Sequence, residues 1–343
     1  NDIEETGWLD PYYQLAAYWA PTIYQDTDDT YYKGDYITNF DFDGDWVGNN
    51  NWENLDNYDN IWAYVYYAVI ETETHYFIFY MFFHPRDWTD VPDWMGGALD
   101  KHENDMEGAM IVITKNDSQY GSFLLMETRA HLDFYQYTND ENIGTGSDDV
   151  DGGVIFDGNR PIVFVEAKGH GVYAWDGTDF PGGDGVIYYY INNQTDYPTG
   201  GNDRNVSYAL VPIMRTLWPR RQNIGNGNMY DDPFVYSGVR YNFSASIGGA
   251  FDGDTYQADK ANPPWGMDDS GDNVNRGDWF FDCAYTVNDH LSIPYNFSLT
   301  YEYNPYLVES GPEFNSPLLS ILEPIADSYV MSSDVNITWN VSD

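Results

Sequence analysis

Apolar and aromatic residues fall along this chain in short runs separated by Gly, Asn and Asp, which is the habit of strands and turns. Residues 62–71 and 75–84 are two such runs on either side of Thr72, Glu73 and Thr74, and they predict a long hairpin. A second hairpin is predicted from 108–114 and 122–128 around turn residues 115–121. Further strands are expected at 161–167, 185–191, 207–214, 241–247 and 295–303, and helical periodicity is confined to 12–19 and 211–217. The pattern is all-β. Two acidic loops, 139–159 and 251–278, are long enough to imply a functional or metal-ordered role.

One boundary is punctuated by Gly311, Pro312 and Pro317, which divides the chain into a main domain, 1–312, and a short segment, 313–343. The segment carries Ile321, Val330, Val335, Ile337 and Trp339 and reads as the opening strands of an immunoglobulin-like domain. It offers about two strands where such a sandwich needs about seven, and about two strands cannot bury their own apolar face. It is therefore expected either to begin a larger module or to add strands to another copy, giving a homo-oligomer or filament.

Composition narrows the function classes. Of 56 acidic residues only 14 are Glu, leaving 42 Asp, against 14 Lys and Arg, for a formal charge of −42. Asp favours turns and hard-cation ligation over helices, so the excess points to loops, calcium-type sites or a solvated surface. Nucleic acid is excluded as a partner because it is bound by clustered cations. The single Cys283 precludes an internal disulfide, and no apolar run reaches the ~18 residues of a membrane span. The chain begins at Asn1, as after removal of a leader, and carries seven glycosylation sequons at Asn116, Asn193, Asn205, Asn242, Asn296, Asn336 and Asn340. A secreted or cell-surface glycoprotein is the expectation.

The densest chemistry lies in Asp100-Lys-His102-Glu-Asn-Asp105-Met-Glu107-Gly108, which runs into the strand 109–114. Asp105 and Glu107, two apart, project from one face of a strand, and His102 can fold back over them from a preceding loop. Asp87, in His84-Pro-Arg-Asp87-Trp88, stands at the end of the neighbouring strand. Three carboxylates and an imidazole suit a divalent cation, Ca²⁺ or Mg²⁺ ahead of Mn²⁺ or Zn²⁺, with a solvated acidic loop as the alternative. Asp41, Asp43 and Asp45 alternate as in a calcium turn, although Gly44 and Trp52 break the EF-hand pattern. Asp268 and Asp272 form a similar candidate.

The pattern His-x-x-Asp-x-Glu after a strand ending Phe-x-Pro-basic-Asp resembles the central region of the necrosis- and ethylene-inducing-like cytolysins and the related vacuolar protein sorting-associated protein sixty-two family. Blocks 19–23, 160–170, 264–266 and 277–280 resemble the latter family in the same order. The resemblance implies an antiparallel β-sandwich with a metal held in a cleft at one end by Asp87, His102, Asp105 and Glu107. It would also place His131 and His170 near that cleft, to orient a ligand, to act as a base, or as hydrogen-bonded structural residues. The cytolysin motif departs here, with Asn104 and Met106 in place of its second His and its Trp.

Three functions are weighed on this basis. The first is a secreted, metal-binding protein with a structural or binding role, such as a glycan site. The second is a metal-dependent hydrolase with His131 or His170 handling the proton; no nucleophile elbow, zinc-protease helix or phosphate loop accompanies it. The third is a cytolysin-like glycolipid-binding protein, which the negative charge opposes at anionic membranes.

Overall fold

The computed structural model describes residues 10–269, 271 and 274–307. The segment 313–343, with its expected strands and assembly role, lies outside the described residues, as do Asp272, Asn336 and Asn340.

Six strands frame the architecture: β1 (Thr22–Asp26), β2 (Tyr64–Thr72), β3 (His75–Asp87), β4 (His102–Thr114), β5 (Ser122–Ala130) and β6 (Asp133–Tyr137). The two predicted hairpins are β2–β3 and β4–β5, both antiparallel. β3 and β4 reach 13 residues each because their apolar runs continue into the polar motifs at their ends.

The antiparallel sandwich is corrected. The described residues form a 13-stranded mixed sheet and two small two-stranded ones; in the large sheet β1 runs parallel to Arg160–Val165, Val206–Pro212 runs parallel to β2, and β6 runs parallel to Val150–Gly152. The large sheet curls until Tyr173, on one edge strand, meets Tyr135 of β6 with ring centroids 5.3 Å apart and planes tilted by 55°. Each face carries a core. Along β3, Phe77, Phe79, Met81 and Phe83 pack with Trp265 and Trp279 on one side, while Ile78, Tyr80 and Phe82 pack with Ile23, Tyr188 and Tyr208 on the other. Burial on both faces is why these strands read as continuous apolar runs, and such runs belong to mixed or parallel sheets as readily as to a sandwich.

Other expectations fare unevenly. The helix at 12–19 is present as Tyr13–Trp19. Residues 211–217 instead end a strand and enter the 3₁₀ turn Ile213–Arg215, since Pro212 stops the ladder. Residues 241–247 contribute only isolated bridges, and 295–303 narrows to Tyr301–Tyr303. The helix Cys283–His290 has no clear apolar stripe in its sequence; its buried residues are Cys283, Ala284, Thr286, Val287 and His290.

Candidate functional site

The β3–β4 register sets Asp87 opposite His102, His84 opposite Asp105 and Phe82 opposite Glu107, so the polar motif is carried on the strand pair itself. His102 is therefore in β4 and not in a preceding loop. Strict alternation would send His102 to the face away from Asp105. Asn104 intervenes with φ of 59°, a left-handed conformation that Asn tolerates better than most residues. Its buried side chain is held by Gly48 O (2.9 Å), Asp252 O (2.8 Å) and the Asn51 amide (2.7 Å). With that local turn of the backbone, His102, Asp105 and Glu107 line one cleft of about 540 Å³ together with Asp87.

The cleft's tautomers and charges follow from its hydrogen bonds. His102 Nδ1 donates to Asn104 O at 2.7 Å, leaving Nε2 to face Asp87 Oδ2 at 3.1 Å. A neutral imidazole would there oppose a lone pair to a carboxylate, so a proton or a cation must lie between them. Burial works against the charged ring, but the Asp87 hydrogen bond and the Asp105 and Asp87 charges outweigh it and raise the His102 pKa. Glu107 accepts from the His131 peptide N–H at 3.0 Å through Oε1, and its buried Oε2 has no partner. Burial, then the Asp105 charge, pushes its pKa well up, against the opposing pull of Arg129 and His131.

Beneath the cleft, His170 Nδ1 lies 2.9 Å from Asp105 Oδ2 and its Nε2 3.4 Å from Asp35 Oδ1. Those two carboxylates overcome burial and lift its pKa to about 10. The His84 ring lies flat on it, 3.8 Å away at 4°, and burial, then the His170 charge, holds His84 well below its usual pKa. His84, Asp105 and His170 bring one donor each within 4.8 Å of one another. Imidazole lone pairs lie in the ring plane, so two parallel rings cannot direct them at a common ion in this arrangement. The stacked pair fits a support for Asp105.

At the rim, His131 Nε2 is paired with Glu166 Oε1 at 2.5 Å, and that hydrogen bond lifts its pKa to about 9 against burial. Lys168 pairs with Asp28 at 3.0 Å and with Asp90. Backbone strain concentrates here: Asn104, His131, Lys168 and His170 all have positive φ, a pattern associated with functional sites.

Asp87, His102, Asp105, Glu107 and His131 thus meet at one cleft with His170 directly beneath it, although no three of Asp87, His102, Asp105 and Glu107 bring their donors within 4.8 Å of one another. Asp41, Asp43 and Asp45 accept hydrogen bonds from neighbouring amides, as in Asn39 to Asp41 (2.6 Å), Asn54 to Asp43 (2.6 Å) and Val47 N to Asp45 (2.8 Å). Asp268 is exposed. Among the sequons, Asn116, Asn205, Asn242 and Asn296 are exposed and Asn193 is half-buried. Asp35, Glu166 and Lys168 had no role in the sequence reading; the last two stand in the quoted block 160–170, while nothing local marks Asp35. A triad of Asp231, Asp252 and Asp259 within 4.8 Å was also missed, because its members are scattered along the sequence.

No protein-family model matches the chain, and no curated protein matches it. Among solved structures it is similar to the non-toxic HaNLP3 protein, at 13% identity and a TM-score of 0.33 over 63% of this chain and 82% of that one. It is also similar to Necrosis and Ethylene inducing Protein 2 from the causal agent of cocoa's Witches Broom disease, at 14% identity and a TM-score of 0.30 over 60% and 74%. NLPPya in complex with mannosamine gives 12%, 0.28, 60% and 73%.

Proposed function

We propose that this protein is a glycan-binding protein whose β3–β4 cleft is organised by a divalent cation held by Asp87, His102, Asp105 and Glu107. The observation that carries the reading is the facing of His102 Nε2 and Asp87 Oδ2 across 3.1 Å in the cleft that also holds the unpartnered, buried Glu107 Oε2. A cation would replace the proton between the first pair, and an inward shift of the Glu107 carboxylate would let it satisfy the last. Oxygen-rich donors favour Ca²⁺, Mg²⁺ or Mn²⁺.

A polar floor with Trp88 and Leu132 on the wall suits a sugar, which presents hydroxyls and an apolar ring face. Leu99 and Leu132 line the cleft and are each 70% exposed, and Trp94, on the β3–β4 connection with Leu99, is 84% exposed. Apolar side chains beside a sugar site fit a glycan carried on a lipid, the glycolipid reading, better than a purely structural role. Hydrolysis is less well supported: His131 Nε2 is engaged by Glu166, and His170 is fully buried between two carboxylates.

The test is calorimetric titration of the protein with Ca²⁺, Mg²⁺ and Mn²⁺, followed by glycan-array and liposome binding with and without the ion. Cation-dependent glycan binding that is lost in Glu107→Gln is expected, and liposomes bearing glycolipid distinguish a lipid-linked from a free ligand. Glycan binding unchanged by chelation and by Glu107→Gln would remove the cation from the reading.

A further inference from the structure

At the far end of the sheet a different pocket of about 420 Å³ is lined by Tyr13, Gln14, Tyr18, Tyr120, Arg160 and Tyr190, with Ala17, Asn192 and Asn193 completing it. It follows the tip of the β4–β5 hairpin, whereas the cleft lies at the start of β4, whose 13 residues run about 40 Å. Its chemistry is opposite to that of the rest of the chain. In a protein with 56 acidic residues, none of the described ones lines this pocket, and the one charged group among its described lining residues is Arg160.

The guanidinium is pre-oriented. Arg160 Nη1 donates to Ala17 O at 3.1 Å and to Ala20 O at 2.7 Å, and the group lies 5.1 Å from the Tyr190 ring centre. Among the described residues the Nε–Nη2 edge has no hydrogen-bond partner. That edge is the fork which receives a carboxylate in two parallel hydrogen bonds. Beside it, Tyr18 and Tyr120 stack at 4.3 Å and 23°, and both are half-buried, so aromatic surface remains open to a ligand. Tyr13 and Tyr190 join hydroxyls at 2.6 Å, while among the described residues the Gln14 and Asn192 side-chain amides and the Tyr18 hydroxyl have no hydrogen-bond partner. The backbone of Asn192 and Asn193 is left-handed at both positions, with φ of 42° and 57°.

We propose that this pocket is a second ligand site, for an acidic saccharide, in which a uronic-acid carboxylate meets Arg160 and the sugar ring lies against the tyrosines. Open aromatic faces, unpaired amides and a guanidinium fork are the three elements such a ligand uses, and the volume is that of a small-molecule site. The site does not depend on the cleft or its cation. A neutral sugar would leave the fork unpaired, and a free aliphatic carboxylate would leave the tyrosines and amides unused.

The experiment titrates the full chain, produced without N-glycans because Asn193 lies at the pocket, with a uronic-acid oligosaccharide and its neutral counterpart, followed by NMR and calorimetry. Binding of the acidic probe at least about tenfold tighter than the neutral one is expected, with a loss of about tenfold or more in Tyr18→Ala and Gln14→Ala combined. Chelator and Glu107→Gln should leave it unchanged, whereas they would abolish binding at the cleft. Arg160→Lys should remove the preference for the acid. Where that variant fails to fold through loss of its bonds to Ala17 and Ala20, the surface variants carry the test. No binding of the acidic probe, equal binding of the two probes, or acidic binding that survives the Tyr18 and Gln14 changes would overturn the proposal.

Discussion

At the scale of single residues, stability and site chemistry depend on which buried groups carry charge. His75 is 1% exposed, bonds Thr74 Oγ1 at 2.8 Å and packs on Phe297, and burial, then the Lys115 charge, lowers its pKa from 6.5 to about 4. The unfolded chain takes up this proton near pH 6.5 and the folded chain only near pH 4. Stability present above pH 6.5 is thus lost as the pH falls towards 4, by up to the order of 3 kcal/mol. Urea titrations of His75→Phe and the natural chain should differ by that slope over that window; parallel curves would show that the ring is not held neutral. Glu107 has the reverse sign. Its pKa is raised, so its ionisation costs stability at neutral pH in the absence of a cation. Glu107→Gln keeps Oε1 for the His131 N–H and removes the repulsion with Asp105, so the ion-free protein should gain about 1 kcal/mol and lose any melting shift on adding Ca²⁺. A loss of stability in chelator would contradict this sign.

At the scale of elements, the long β3–β4 ladder both builds the core and aims the cleft. Phe79, fully buried on β3, meets Trp279 and Phe280 with centroids 5.1 Å from each. Phe79→Ala should cost about 3–5 kcal/mol by chemical denaturation, the usual range for a deeply buried aromatic ring. A loss under about 1 kcal/mol would mean that the core collapses around the gap. Asn104 acts on the same ladder through its left-handed backbone and three side-chain bonds. Asn104→Ala should therefore lower both stability and cation affinity, and calorimetry would separate a change in the site from simple unfolding.

At the scale of the whole molecule, −42 of formal charge makes self-repulsion a bulk term. Monovalent salt screens it within a Debye length of about 10 Å at 0.1 M, so the melting temperature should rise between low salt and about 0.5 M NaCl. A flat or falling curve would show that local ion pairs, such as Lys115 with Glu302 at 2.6 Å, outweigh the general repulsion.

The sequence by itself determined the β class, both hairpins, the helix at Tyr13–Trp19 and the grouping of Asp87, His102, Asp105 and Glu107, because period-2 patterning, turn residues and short spacings are local signals. It did not determine the mixed sheet: parallel partners such as β1 and Arg160–Val165 are brought together by crossovers that leave no mark in either strand. Nor did it place Asp35 under His170, Glu166 on His131, or four tyrosines around Arg160. Those contacts join residues far apart in the chain, and only closure of the curled sheet sets their distances and, through burial, the protons they hold.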